Sequence, residues 1–156
     1  MKRTHLAVVA AAAATALAAT AAGAQSSTPV AHTSRVAKVS LRRTTLGRIL
    51  VNNAGHTLYL FTRDHPFKSS CVAIHECSET WPPLKSTGRP LAGPGVRASL
   101  LSTIRLPHGG GLQVTYAGHP LYTYAVDAGP GETAYVGEHV FGGNWDAVNA
   151  AGHAVK

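Results

Sequence analysis

The chain has 156 residues, with 14 Lys and Arg against 7 Asp and Glu and a formal net charge of +7, enough length for one modest domain. From Thr44 onward eight basic residues face seven acidic ones, so the excess charge belongs to the N-terminal part and the remainder is nearly neutral. That balance removes most of the case for a nucleic-acid binder, and no nucleic-acid partner is expected.

Lys2 and Arg3 precede an Ala/Val/Leu run that ends at Ala22-Gly23-Ala24, small residues of the kind a signal peptidase reads. Residues 1–24 are therefore expected to be a secretory signal peptide; the run is too rich in Ala, with Thr15 and Thr20 inside it, for a membrane anchor. No Cys lies near the cleavage site, so no lipid attachment is expected there. Residues 25–43 are polar, small and without a period, and are expected to form a flexible basic linker. Its Arg35, Lys38, Arg42 and Arg43 suit an anionic cell-wall polymer or a membrane surface as partner.

Residues 44–156 carry Gly and Pro throughout and show no window of helical periodicity, which predicts an all-β domain with long Gly/Pro-rich loops. Arg48–Asn52 and Thr57–Phe61 read as two strands about a turn at Asn53-Ala54-Gly55. The stretch Leu50–Asp64 recurs 63 residues later as Gln113–Asp127, with Val, Ala, Gly, His, Leu, Tyr and Asp matched among fifteen positions. A repeat of that length marks a duplicated supersecondary unit. The second copy predicts strands Leu112–Tyr116 and Leu121–Val126 about Ala117-Gly118. Trp81 and Trp145, 64 apart, extend the repeat into a short Trp-bearing strand, giving repeats of about 46–88 and 112–155. Between them Pro90–Gly95 reads as a turn and Ser99–Leu106 as a strand. Alternation puts Tyr59 and Phe61 on one face and Leu58 and Leu60 on the other, and pairs Tyr122 with Tyr124. Two such units packing their aromatic faces would share one small core.

Cys71 and Cys77 are the sole cysteines of an exported chain, and a disulfide is expected. The alternatives are a thiolate metal site of Cys71, His75 and Cys77, or a redox-active pair. Asp64 and Asp127 match each other and could serve as paired carboxylates. Each also ends a strand and opens a loop, where Asp accepts hydrogen bonds from following backbone N–H groups, and that structural role is the expected one. Tyr59 and Tyr122 read as core residues. His56 and His119 recur at the repeat's turns, and with His75 are weak candidate ligands for copper, zinc or haem iron; none forms a His-x-His or helical i, i+4 pair. No cofactor is expected, and no ordered nucleophile, base and acid set stands out.

The segments Gly55–Phe61 with Asp64, Cys71, Cys77 and Trp81-Pro82-Pro83-Leu84, followed by Gln113–Tyr116, Gly118, Pro120–Tyr124 and Asp127, closely resemble the bacterial secreted repeat family, also described as predicted lipoproteins with a Tyr-x-(Phe/Trp/Tyr)-x-x-Asp motif. The motif falls on Tyr59, Phe61 and Asp64, and again on Tyr122, Tyr124 and Asp127. The resemblance implies export and a repeat, and carries no substrate. The expectation is a secreted, extracytoplasmic envelope protein acting as a non-enzymatic structural or binding module; the alternative is an envelope metal-binding or redox protein using its His-rich turns and loops and the cysteine pair.

Overall fold

The computed structural model describes residues 36–156; the expected leader and residues 25–35 of the expected linker lie outside the described residues. In chain order the strands are β1 (Lys38–Thr44), β2 (Gly47–Val51), β3 (Tyr59–Phe61), β4 (Lys85–Ser86), β5 (Leu91–Ala92), β6 (Leu101–Arg105), β7 (Leu112–Tyr116), β8 (His119–Pro120), β9 (Glu138–Val140), β10 (Gly143–Val148) and β11 (Ala154–Val155). One helical turn, α1 (Cys77–Thr80), precedes Trp81. The strands form three small sheets ordered β2-β1-β5, β11-β10-β3 with β9 on β10, and β4-β7-β6 with β8 on β7. The all-β expectation holds.

The flexible linker expected over 25–43 does not extend to its C-terminal end. Lys38–Thr44 is a strand, antiparallel to β2 and parallel to β5. Its basic and hydroxyl side chains conceal this in the sequence, because they occupy the outer face while Ala37 and Val39 insert into the core. Thr44 closes the β1–β2 hairpin by accepting the Leu46 N–H and donating to the Gly47 carbonyl, and Gly47 takes φ +94° to complete the turn.

β1 has a counterpart. Ser40 lies opposite Val51 in the first hairpin, and Thr103 opposite Val114 in the β6–β7 hairpin, the same register displaced by 63 residues. The repeat unit therefore begins with β1 and β6, not near residues 46 and 112, and the strand expected between the repeats is the first strand of the second one.

After these hairpins the two repeats exchange partners. The first hairpin opens beyond Leu58, whose N–H donates to Leu50, and β3 pairs instead with β10 of the second repeat, Tyr59 opposite Ala147 and Phe61 opposite Trp145. In the matching place Tyr122 bridges Pro83 of the first repeat. Tyr59 and Tyr122 bridge each other, each N–H donating to the other's carbonyl at 2.9 and 3.0 Å, and so mark an internal pseudo-two-fold relation. The strand expected over Leu121–Val126 is thereby reduced to bridges at Tyr122, and Val126 is 61% exposed. Trp81 follows α1 instead of lying in a strand, and the turn expected at Pro90–Gly95 includes β5.

Strand alternation at β3 divides the shared core in two. Leu58 and Leu60 join Val39, Leu50, Leu101, Val114, Tyr116, Leu121 and Val148 on one side. Tyr59 and Phe61 join Trp81, Trp145, Tyr122 and the cysteine pair on the other. Both clusters draw on both repeats, so neither repeat buries its apolar face alone.

Candidate functional site: the matched Tyr, Trp and Asp residues

β3 and the Tyr122 segment lie side by side, and that neighbourhood brings the two copies of the motif together. Trp81 and Trp145 stack with ring centroids 4.1 Å apart and planes 2° from parallel. Phe61, opposite Trp145 across the β3–β10 ladder, stacks on its outer face at 4.2 Å and 9°. Tyr124, the counterpart of Phe61, covers the outer face of Trp81 at 4.4 Å, and Tyr135 continues the row at 4.1 Å. Tyr59 and Tyr122 each meet the tryptophan of their own repeat edge-on, both with centroids 5.1 Å apart. Such aromatic pairs contribute about 0.5–1.5 kcal/mol each beyond burial. The indole N–H groups of Trp81 and Trp145 are both buried without a hydrogen-bond partner, so ring packing decides their placement.

The phenols reach across the repeats. Tyr122 Oη donates to Asp64 Oδ2 at 2.8 Å, and Tyr59 Oη donates toward both carboxylate oxygens of Asp127 at 3.3 and 3.4 Å. Asp64 is the more tightly held of the two. The Ser70 N–H donates to Asp64 Oδ1 at 2.6 Å, and Ser69 Oγ lies 2.7 Å from Tyr122 Oη. Because the Tyr122 proton is committed to Asp64, the serine hydroxyl is the donor there.

Burial raises all four pKa values. It is the largest cause for Tyr59 and Tyr122, and the facing carboxylates raise them further. Burial also raises Asp64, against the lowering effect of its bonds from Ser70 and Tyr122. Asp127 is pushed up to about 6, burial again leading, with the Tyr59 hydrogen bond and His56 pulling the other way.

Cys71 and Cys77 form a disulfide with Cα atoms 5.4 Å apart, buried beneath the aromatic row. Their sulfurs are thus engaged with each other, and His75 lies outside on the surface, 3.6 Å from Glu76. His56 is half-buried at its turn, where its N–H donates to Asn52 Oδ1. His119 lies in β8 opposite Tyr116, its imidazole pKa lowered by burial and then by His153. Among the described residues no group of three His, Cys, Asp or Glu is placed to hold a metal ion. The sequence reading missed Ser70, whose N–H anchors Asp64, and Ser69, whose hydroxyl meets Tyr122; at the 63-residue offset the two loops share no identical residue, so the repeat gave no signal. It also missed Asp146, buried opposite Leu60 in β10 with neither oxygen hydrogen-bonded and its pKa raised by burial.

Among known proteins, the family described as a secreted repeat of unknown function matches residues 40–85 and 105–149. No curated protein and no solved structure matches the chain. The first match runs from within β1 past Trp81, and the second from the end of β6 past Trp145, one in each structural repeat. The chain therefore belongs to the secreted repeat family of unknown function, a protein that acts outside the cytoplasm.

Proposed function

We propose that the chain serves in the cell envelope as a non-enzymatic module, structural or binding, whose repeated Tyr, Trp and Asp residues hold its two halves in one body. The observation that carries this reading is reciprocity: the phenol of each repeat donates to the carboxylate of the other, around a stacked pair of tryptophans, one from each repeat. The phenols of Tyr59 and Tyr122 and the carboxylates of Asp64 and Asp127 are thus spent on one another inside the fold, where they order the interface between the repeats. Incubating the exported protein with an envelope extract and following its products by mass spectrometry tests the proposal. No product is expected; a turnover that disappears in Asp64→Ala or Asp127→Ala proteins with native near-UV circular dichroism would overturn it.

A further inference from the structure

We propose that a basic groove between the disulfide loop and the Pro107–Gly111 turn is the ligand site of this module, and that it takes an acidic polysaccharide of the envelope. The inference rests on the binding reading above.

Three surface depressions of about 300, 460 and 300 Å³ run into one another there. Lys85 and Gly110 line both the first and the second, and Val72, Leu106 and Pro107 line both the second and the third. Three cations, Lys68, Lys85 and Arg105, line this course together with the imidazole of His108, and all four side chains are on exposed residues. None of the seven Asp and Glu of the chain lines any part of it. In a region whose overall charge is close to balanced, that segregation makes one face complementary to an anion.

The shape of the groove narrows the class of anion. Its series of joined depressions, with Lys85 shared by the first two and Lys68 and Arg105 in the third, exceeds what one small ion occupies and suits a chain with repeated charges. Phe67, 57% exposed, and Pro107 add apolar faces of the kind that pack against the C–H surface of a sugar ring. Phe67 and His108 hold left-handed backbone at φ 57° and 52°, two of only five such non-glycine positions among the described residues. Such conformations are costly and gather at functional sites. Next to His108, Gly109 and Gly111 also have positive φ, 72° and 88°, and the Gly110 N–H donates to the Pro107 carbonyl, which closes the turn at this end of the groove.

Binding of the exported full chain to immobilised polygalacturonate tests the site, with poly(glycerol phosphate) reporting the effect of charge without sugar rings and poly-glutamate that of a peptide. Wild type is expected to bind polygalacturonate most tightly. The combined Lys68→Gln, Lys85→Gln, Arg105→Gln protein should bind at least about tenfold more weakly, on the order of 1.4 kcal/mol. The charge-conserving Lys68→Arg, Lys85→Arg, Arg105→Lys protein should retain wild-type affinity, both variants keeping native circular dichroism. Equal binding by wild type and the glutamine variant would remove the groove and leave the module reading standing, with the ligand held elsewhere. Tighter binding of poly-glutamate or poly(glycerol phosphate) than of polygalacturonate, or no binding to polygalacturonate, would overturn the choice of ligand. Failure of the module reading itself would show as turnover of a substrate, which none of these binding outcomes resembles.

Discussion

Asp64 and Asp127 occupy matching places in the two repeats and are held differently. Asp64 accepts a short bond from Tyr122 and another from the Ser70 amide, whereas Asp127 faces only the longer approach of Tyr59. Removing the Asp64 carboxylate leaves the Tyr122 phenol only its Ser69 partner and takes the acceptor from the Ser70 N–H, so Asp64→Ala is expected to cost about 2–3 kcal/mol, and Asp127→Ala about 1 kcal/mol, by urea denaturation. The pH dependence has a definite sign. With its pKa raised to about 6, the folded protein keeps a proton on Asp127 that the unfolded chain has already released. Stability from this group is therefore fully present below about pH 4 and declines as pH rises toward about 6. The raised pKa of Asp64 acts in the same direction. Urea midpoints measured from pH 4 to 7 should fall with rising pH in wild type and fall less in Asp127→Asn.

At the scale of elements, the Trp-bearing segments decide the architecture. Each emerges from one repeat and docks against the aromatic strand of the other: the segment after Trp81 bridges Tyr122, and β10 with Trp145 pairs with β3. Two indoles 4.1 Å apart and parallel couple electronically, so the near-UV circular dichroism should contain an exciton couplet that either Trp81→Phe or Trp145→Phe abolishes. Truncation to Ala at either position is expected to cost about 3–5 kcal/mol, because both are fully buried at the junction of the repeats. The disulfide serves the same junction. Its sequence separation of 6 closes a small loop, and cross-linking so short a loop contributes about 2 kcal/mol through the unfolded state. It shapes the loop between Asp64 and α1 from which Trp81 enters the core.

For the whole molecule, exchange between repeats means that half a chain lacks its own partner strands. A fragment of residues 36–95 keeps the β1–β2 hairpin and β5 yet loses β10 opposite β3 and Tyr122 opposite Pro83. That fragment and its complement 96–156 are each expected to be unfolded alone by far-UV circular dichroism and to regain the native spectrum when mixed. A repeat that folded by itself would show that contacts within one unit suffice.

Much of this was legible in the residues. The lack of any helical period and the frequent Gly and Pro marked β structure, and the 63-residue offset marked the duplication, because both are read directly along the chain. The aromatic pairs and the cysteine pair were recognisable for the same reason. The linker that proved to be β1 was not, since Lys38, Arg42 and Arg43 conceal a strand in which Val39 alone is fully buried. Nor could the offset tell which hairpin a Trp-bearing segment would join, because self-pairing and exchange preserve the same sequence pattern. By itself the sequence determined the β class, the repeat and the residues able to bury or hydrogen-bond. Only the tertiary structure decided that each Tyr meets the other repeat's Asp, that the tryptophans stack on each other, and that Lys68, Lys85 and Arg105 share one face. Those outcomes depend on contacts between residues tens of positions apart, where the gain from joint burial outweighs any local preference.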